Sequence, residues 1–513
     1  MAKNIKGKSE EKATFEVPPP PIPAKDIREV INTDVVVVGA GISGACAALS
    51  AVEAGARTIL LEKGDSCHAH GHGNAAFGSK AQKRDGIEYD RNEVIAEIMR
   101  WGGYKTDQKL VSLWVDNSGK VMDWLLDMAA AAGITVTVMK PKEMERIPQK
   151  FIKMFNLTHE FYPDGEATVM ALLKNKMQEV RLDIRYETPA VQLIREGKGR
   201  VTGVIAKNKD GYQQFNARAV VLCSGGYEHN LEMQEKYAPH ALRVLNYANQ
   251  PPLTTGDGHR MGLWVGAVME AGPHCCVFED GGGIHLEAPA THAGVGLARL
   301  PWLNVNIYGE RYFKEDVEFT LTCNANMAQP GHVTWLIWDG KYEEDTRRLH
   351  TFESRAGRAV YSSFHKTTPA LYQEMINKGA ILKTDTLEEM VRKMEVPRET
   401  FMATVKRYNE LARLGKDPDF GKDPAKLTTI EKPPFYAAKA GAALLVTLGG
   451  LKVNTRLQVL DTNMNVIPGL YAAGNVSGGF FANDYPSNIP GLTHGRAYTF
   501  GRLAGFNAAA EKD

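Results

Sequence analysis

Thr33-Asp-Val-Val-Val-Val-Gly39-Ala40-Gly41-Ile42-Ser43-Gly44, with the acid Glu62 downstream, decides how this chain is read. Val35 to Val38 is an apolar, β-branched run of the kind found in a buried strand. Three glycines at G-x-G-x-x-G spacing then open a helix through Ala45, Ala47, Ala48, Leu49 and Ala51. Gly39 suits a tight turn, Gly41 lets backbone approach a pyrophosphate, and Gly44 lets helix and strand pack closely. The helix N-terminus directs free N–H groups and partial positive charge at phosphates. Thr58 to Leu61 reads as a second strand ending at Glu62, where a carboxylate would accept adenosine ribose hydroxyls. The glycines alone fit an ordinary strand–helix turn without a ligand. The full strand–helix–strand–acid setting points to a dinucleotide.

At 513 residues the chain has room for about two or three domains. Hydrophobic residues make up 43% and charged residues 24%, the balance of a soluble globular protein. Lys plus Arg is 61 and Asp plus Glu is 60, so the net charge of +1 leaves no excess to follow nucleic acid or an anionic membrane. No apolar run reaches bilayer-spanning length. Cys46, Cys67, Cys223, Cys275, Cys276 and Cys323 form no C-x-x-C pair, and residues 1–12 carry no apolar export signal. A reduced, cytoplasmic compartment is expected.

Residues 1–33 read as an extended tail, polar at first and then Val17-Pro-Pro-Pro-Pro-Ile-Pro23. Strand patterns recur at Ala190 to Ile194, Val201 to Ala206 and Ala219 to Cys223, and helical patterns at Arg91 to Ala132, Leu387 to Met394 and Arg398 to Leu414. Glycine-rich strand–turn–helix text returns at Thr447 to Gly450, at Gly469 to Asn475, and from Gly491 into a helix ending near Ala510. Dinucleotide-type loops at both ends predict one cofactor domain, residues 34–295 and 447–513, interrupted by an insertion at 296–446.

These pieces resemble the FAD-binding subunit family of fumarate reductases and succinate dehydrogenases. Its soluble relatives include flavocytochrome c fumarate reductases, urocanate reductase and 3-ketosteroid dehydrogenases. The resemblance rests on the first fingerprint with Glu62-Lys63, on Ala219 to Gly226, on Thr255-Gly-Asp257-Gly258, and on Pro468 to Asn475 with Thr499 to Gly505 downstream. It implies an α/β fold, with a Rossmann-like FAD-binding domain interrupted by an α+β capping domain. FAD is the implied cofactor. Gly39, Ala40, Gly41, Ile42, Ser43, Gly44, Glu62 and Lys63 would hold its adenine-ribose and pyrophosphate end. Val191, Ser224, Gly225 and Asp257 would line the adenosine side, and Gly73, Asn74 and Ala75 would pass near the isoalloxazine. Gly474, Asn475, Gly491 and Leu492 would approach the ribityl chain and the pyrimidine edge, where a helix N-terminus could stabilise reduced flavin.

In this family a hydride passes from flavin N5 to the β-carbon of an activated double bond, so the enzyme must stabilise an oxyanion and supply a proton. Departures from the family pattern narrow the substrate. The H-T-M-G-G motif reads Val446-Thr-Leu-Gly-Gly450, so Val446 replaces the substrate histidine. The N-R-x-G-G-N segment corresponds to Asn483-Asp-Tyr485-Pro-Ser-Asn-Ile-Pro-Gly491, which has no arginine. Without that bidentate donor, fumarate and succinate lose their main charge-assisted bonds and are rejected. Tyr485-Pro486 resembles the tyrosine-proline of 3-ketosteroid dehydrogenases, implying that Tyr485 hydrogen-bonds a substrate carbonyl; the alternative is a packing tyrosine. Val305 to Glu315 resembles the family's V-N-x-x-G-x-R-F-x-N-E segment, in which Glu315 matches an acid feeding a proton relay. The relay arginine is missing, which leaves Tyr308, Arg311 and Tyr312 as candidate donors. Glu315 could instead pair structurally with a nearby lysine or arginine.

Cys67-His68-Ala-His70-Gly-His72 offers metal-type residues on alternating positions, but no fourth ligand is apparent and no metal is expected. His70 or His72 could attach flavin covalently. The expected activity is an ene-reductase acting on a C=C bond conjugated to a carbonyl in an aromatic or alicyclic substrate. Alternatives are a ketosteroid-type dehydrogenase, a reductive dehydroxylase of a phenolic or heterocyclic substrate, and a non-catalytic electron-transfer flavoprotein. No second G-x-G-x-x-G unit for NAD(P)H is present, so a separate reductase would deliver electrons.

Overall fold

The computed structural model describes residues 13–69, 71, 73–139, 153–248, 252–280, 300–317, 319–350 and 369–512. Nine elements position the site: β1 (Val35–Val38), α1 (Ile42–Glu53), β2 (Thr58–Leu61), β3 (Asp183–Arg185), β4 (Ala219–Leu222), α2 (Asp257–Trp264), β5 (Gln458–Leu460), β6 (Val466–Ala472) and α3 (Leu492–Ala509). The six strands form one sheet in the order β5-β6-β4-β1-β2-β3. From β6 to β3 the neighbours run parallel, and β5 closes the edge antiparallel to β6. β1 and β4 lie between parallel neighbours and are buried at every position, which explains their unbroken apolar text. α1 and α3 pack on each other and against this sheet. Small residues allow the approach: a Cβ at Gly505 would lie 2.1 Å from the Ala47 carbonyl oxygen.

A second sheet orders Ile27–Asn32, Gly211–Asn216, Val201–Asn208 and Ala190–Arg195. This changes the boundary of the expected tail. Ile27–Asn32 is a strand paired parallel to Gly211–Asn216, and Phe15 is buried, its carbonyl accepting the Trp264 indole N–H at 2.8 Å. The strand sits at a sheet edge with no fully buried position, so no buried alternation marks it in the sequence.

The expected insertion contains an antiparallel sheet ordered Leu303–Asn306, Thr334–Trp338, Phe435–Ala440 and Leu382–Thr384. Thr334–Trp338 is buried along its length. Trp335 and Ile337 pack with Leu303, Val305, Phe401 and Tyr408, whereas Leu336 and Trp338 pack with Trp302, Tyr372 and Tyr436. These two clusters are distinct from the core around the six-stranded sheet. The strand Ala442–Thr447 straddles the expected 446/447 boundary and pairs antiparallel with Cys276–Asp280.

Candidate active site

The first fingerprint turns where β1 ends. Gly39 has φ of +99°, and Gly44 is pressed so closely that a Cβ there would lie 1.7 Å from the Gly39 carbonyl oxygen. Gly41 differs: its φ of −72° suits any residue, and a Cβ would meet nothing nearer than the His68 carbonyl oxygen at 3.8 Å. The protein itself gives no reason for glycine at Gly41, whereas close passage of a ligand does. Glu62 holds this turn from the end of β2. One carboxylate oxygen accepts the Ala40 N–H and the other the Gly64 N–H, each at 2.7 Å. Ala40, Ile42 and Ser43 are buried around it.

The adenosine-side candidates converge in part. Lys63 Nζ donates to Asp257 at 2.8 Å and to the Thr255 hydroxyl at 2.7 Å, and the Gly258 N–H donates to the Ser224 hydroxyl at 3.1 Å. Gly225 has φ of +76°. Val191 is half-buried in the second sheet and has no such link among the described residues.

The two ends of the chain meet at the other side. A Cβ at Gly474 would lie 2.5 Å from the Ser43 hydroxyl, and one at Gly491 would lie 2.2 Å from the Gly73 carbonyl carbon. The Ala75 N–H donates to the Gly491 carbonyl at 3.1 Å. Asn74 is fully buried and donates to the His159 carbonyl at 3.2 Å, but no described residue pairs with its side-chain oxygen. An unpaired buried oxygen between converging glycine loops is what a polar ligand would satisfy. With the open face of Gly41, it makes this chain fit FAD.

A buried pair that sequence reasoning missed holds these loops. Glu270 accepts the N–H groups of Gly450 at 3.1 Å and Gly479 at 2.9 Å. Arg496, fully buried in α3, donates to the carbonyls of Gly474 at 2.9 Å and Ser477 at 3.1 Å, and to the Asn475 side chain at 3.1 Å. Burial pushes the Glu270 carboxyl up to about 7 against the pull of the two amides and Arg496. Burial likewise lowers Arg496 to about 10, opposed by Glu270. The available signal was an acid following the apolar run at Met269 and an arginine among the small residues of α3.

Tyr485 is buried beside Phe481, with ring centroids 5.6 Å apart. Its hydroxyl accepts the Leu492 N–H at 3.0 Å and donates to the Ile489 carbonyl at a long 3.4 Å. Burial pushes the phenol up to about 12, against the helix amides that favour its anion. Tyr485 therefore caps the N-terminus of α3, next to Gly491.

The other catalytic candidates have their own partners. Arg311 grips Glu315 with two bonds of 2.7 Å and reaches Asp417 at 2.8 Å; Lys422 approaches Glu315 at 3.3 Å. Burial opposes charge on Arg311, yet Glu315 and Asp417 hold its pKa above the ordinary value. Burial is likewise overcome at Asp417, which Arg311 and backbone N–H groups bring down to about 2. Among the described residues these bonds form an inward-facing ionic network, with none reaching Tyr485. The structural pairing considered for Glu315 is the one observed. Tyr312 donates to the Asn326 side chain at 2.5 Å, and Tyr308 is 51% exposed.

Cys67 is buried 3.3 Å from the Tyr186 hydroxyl, and His68 lies 3.2 Å from the Ser66 hydroxyl. His70 and His72 lie outside the described residues. Among the described residues, no three His, Cys, Asp or Glu side chains are placed to hold a metal, and no helix is long and apolar enough to cross a membrane.

Comparison with known proteins gives a consistent result. The family described as FAD binding domain matches residues 34–487. The chain is 29% identical over 500 residues to a vinyl phenol reductase of Lactiplantibacillus plantarum, covering 93% of this chain and 96% of that protein. It is 29% identical over 499 residues to a urocanate reductase of Eggerthella lenta, covering 93% and 75%. Its fold superposes on the open conformation of a flavocytochrome c3 fumarate reductase with a TM-score of 0.71 and 26% identity, covering 95% of this chain and 79% of the other.

Proposed function

The chain belongs to the FAD binding domain family, and from that premise we propose that it saturates a C=C bond conjugated to a carbonyl in an aromatic or alicyclic substrate. It is an FAD-dependent oxidoreductase. The observation that carries the substrate class is that no carboxylate clamp is formed among the described residues. Val446 and the arginine-free segment Asn483–Gly491 stand where this family holds dicarboxylates. Arg311 is bound to Glu315 and Asp417, and Arg496 to three oxygens, so neither offers a free guanidinium fork. Phe480, Phe481 and Tyr485 form a buried aromatic cluster at that segment, an apolar setting that disfavours a second carboxylate. The relatives named vinyl phenol reductase and urocanate reductase support a reductase of C=C bonds.

When bound, FAD would supply a hydride to the β-carbon of the substrate, and a proton drawn from solvent would complete the saturation at the α-carbon. The residues of this chain bind and orient. Glu62 and the open face of Gly41 receive the ribose and pyrophosphate, and Lys63 is held near them by Asp257. The hydrogen bond from Leu492 polarises the Tyr485 hydroxyl, and its long bond to Ile489 is readily exchanged for one to a substrate carbonyl oxygen. The sheet that carries Leu303–Asn306 and Phe435–Ala440 serves as the cap that excludes water. A separate reductase delivers the electrons.

The test is anaerobic. The purified protein is reduced and flavin reoxidation is followed against enones, cinnamates, steroids, vinyl phenols and fumarate. Reoxidation by a neutral ring-bearing enone, and not by fumarate, is expected. Rapid reoxidation by fumarate, or by none of the panel, overturns the proposal.

A further inference from the structure

The first turn of α3 carries a histidine that the proposed function leaves unused. His494 Nδ1 lies 2.8 Å from the Gly73 carbonyl oxygen and 3.0 Å from Glu166 Oε1. The Glu166 side chain is 2% exposed and opens the helix Glu166–Glu179. Its other oxygen accepts the Tyr498 hydroxyl at 2.6 Å. Gly71 makes room for the imidazole, since a Cβ there would lie 2.6 Å from His494 Cε1. Nδ1 faces both oxygens; its hydrogen bond goes to Gly73, and the buried Glu166 Oε1 beside it has no hydrogen-bond partner among the described residues. A buried carboxylate oxygen without a hydrogen-bond partner is stabilised by a neighbouring cation, and the His494 ring is the side chain placed to become one when protonated.

We propose that Glu166 and His494 form a buried ion pair that fastens the loop carrying Gly71 and Gly73 to α3 and balances charge beside the reduced flavin. This rests on the reading that Gly491 and Leu492 meet the pyrimidine edge of FAD. Both are positioning residues: together they carry no net charge. Without the imidazolium, Glu166 leaves an uncompensated negative charge near a ring that gains electrons, and the reduced state is destabilised.

The test uses FAD-loaded wild type, His494→Asn, Glu166→Gln and the double variant. Asparagine keeps a donor for Gly73 but no charge. The readouts are the FAD dissociation constant and the flavin midpoint potential. His494→Asn should lower the potential and weaken FAD binding about tenfold. Adding Glu166→Gln to it should bring the potential back toward the wild-type value, which no purely steric role would do. An unchanged potential in His494→Asn, or no recovery in the double variant, overturns the ion pair. Wild type that takes up no FAD overturns the cofactor reading and this inference with it. Wild type that loads normally beside variants of unmoved potential overturns this inference alone.

Discussion

Arg311 and Glu315 bind each other through two parallel N–H···O bonds of 2.7 Å, with 6% and 0% of their side chains exposed. A pair so placed is expensive to break, because the surviving partner is left charged and buried. Arg311→Ala should cost about 3–5 kcal/mol of stability, read as a lower urea midpoint. Folded, FAD-loaded Glu315→Gln should keep its kcat. A tenfold loss of kcat at unchanged stability would return Glu315 to the proton path.

Gly41 and Gly44 separate binding from folding. Gly44→Ala forces a methyl against the Gly39 carbonyl and should yield little folded protein. Gly41→Ala has space for its methyl and should fold, yet lose FAD because the methyl occupies the approach of the pyrophosphate. The ratio of flavin to protein absorbance, beside a circular dichroism melt, distinguishes the two. Full flavin content in Gly41→Ala would move the nucleotide elsewhere.

Tyr485→Phe keeps the ring against Phe481 and removes the hydroxyl that receives the Leu492 N–H. About 1 kcal/mol of stability should be lost. If the hydroxyl also binds the substrate carbonyl, kcat should fall about a hundredfold with FAD content intact. Unchanged kcat would leave Tyr485 as a helix cap alone.

Glu270 sets a pH dependence with a defined sign. Its folded pKa of about 7 lies above the ordinary value of 4.5, so folding favours the protonated carboxyl. That contribution is complete below pH 4.5 and is lost as pH rises through 7. Glu270→Gln, which mimics the protonated form, should not lose it. The stability of the wild type relative to Glu270→Gln should therefore decline between pH 5 and 8, by on the order of 3 kcal/mol. Urea titrations at several pH values measure the difference, and a gap that widens in favour of wild type with rising pH would contradict it.

The local text made β1, α1, β2 and the course of α3 legible, because the strands are contiguous apolar runs and each helix opens at a glycine. The relation of Arg311 to Glu315 was visible as spacing, but the third and fourth partners, Asp417 and Lys422, come from about a hundred residues away. That distance hid the ionic network in which Glu315 sits. Glu270 meets Gly450 and Gly479 across 180 and 209 residues, and nothing near it in the chain foretells those partners. Ile27–Asn32 went unrecognised because an exposed edge strand needs no apolar face.

Ser43 touches Gly474, and Gly73 touches Gly491. A nascent polypeptide emerging from the ribosome thus displays its phosphate-binding turn long before the opposite wall of the pocket has been made. Stable cofactor capture must await synthesis of the segment through Gly491, so the early segment has to stay competent, and protected from aggregation, in an unliganded form.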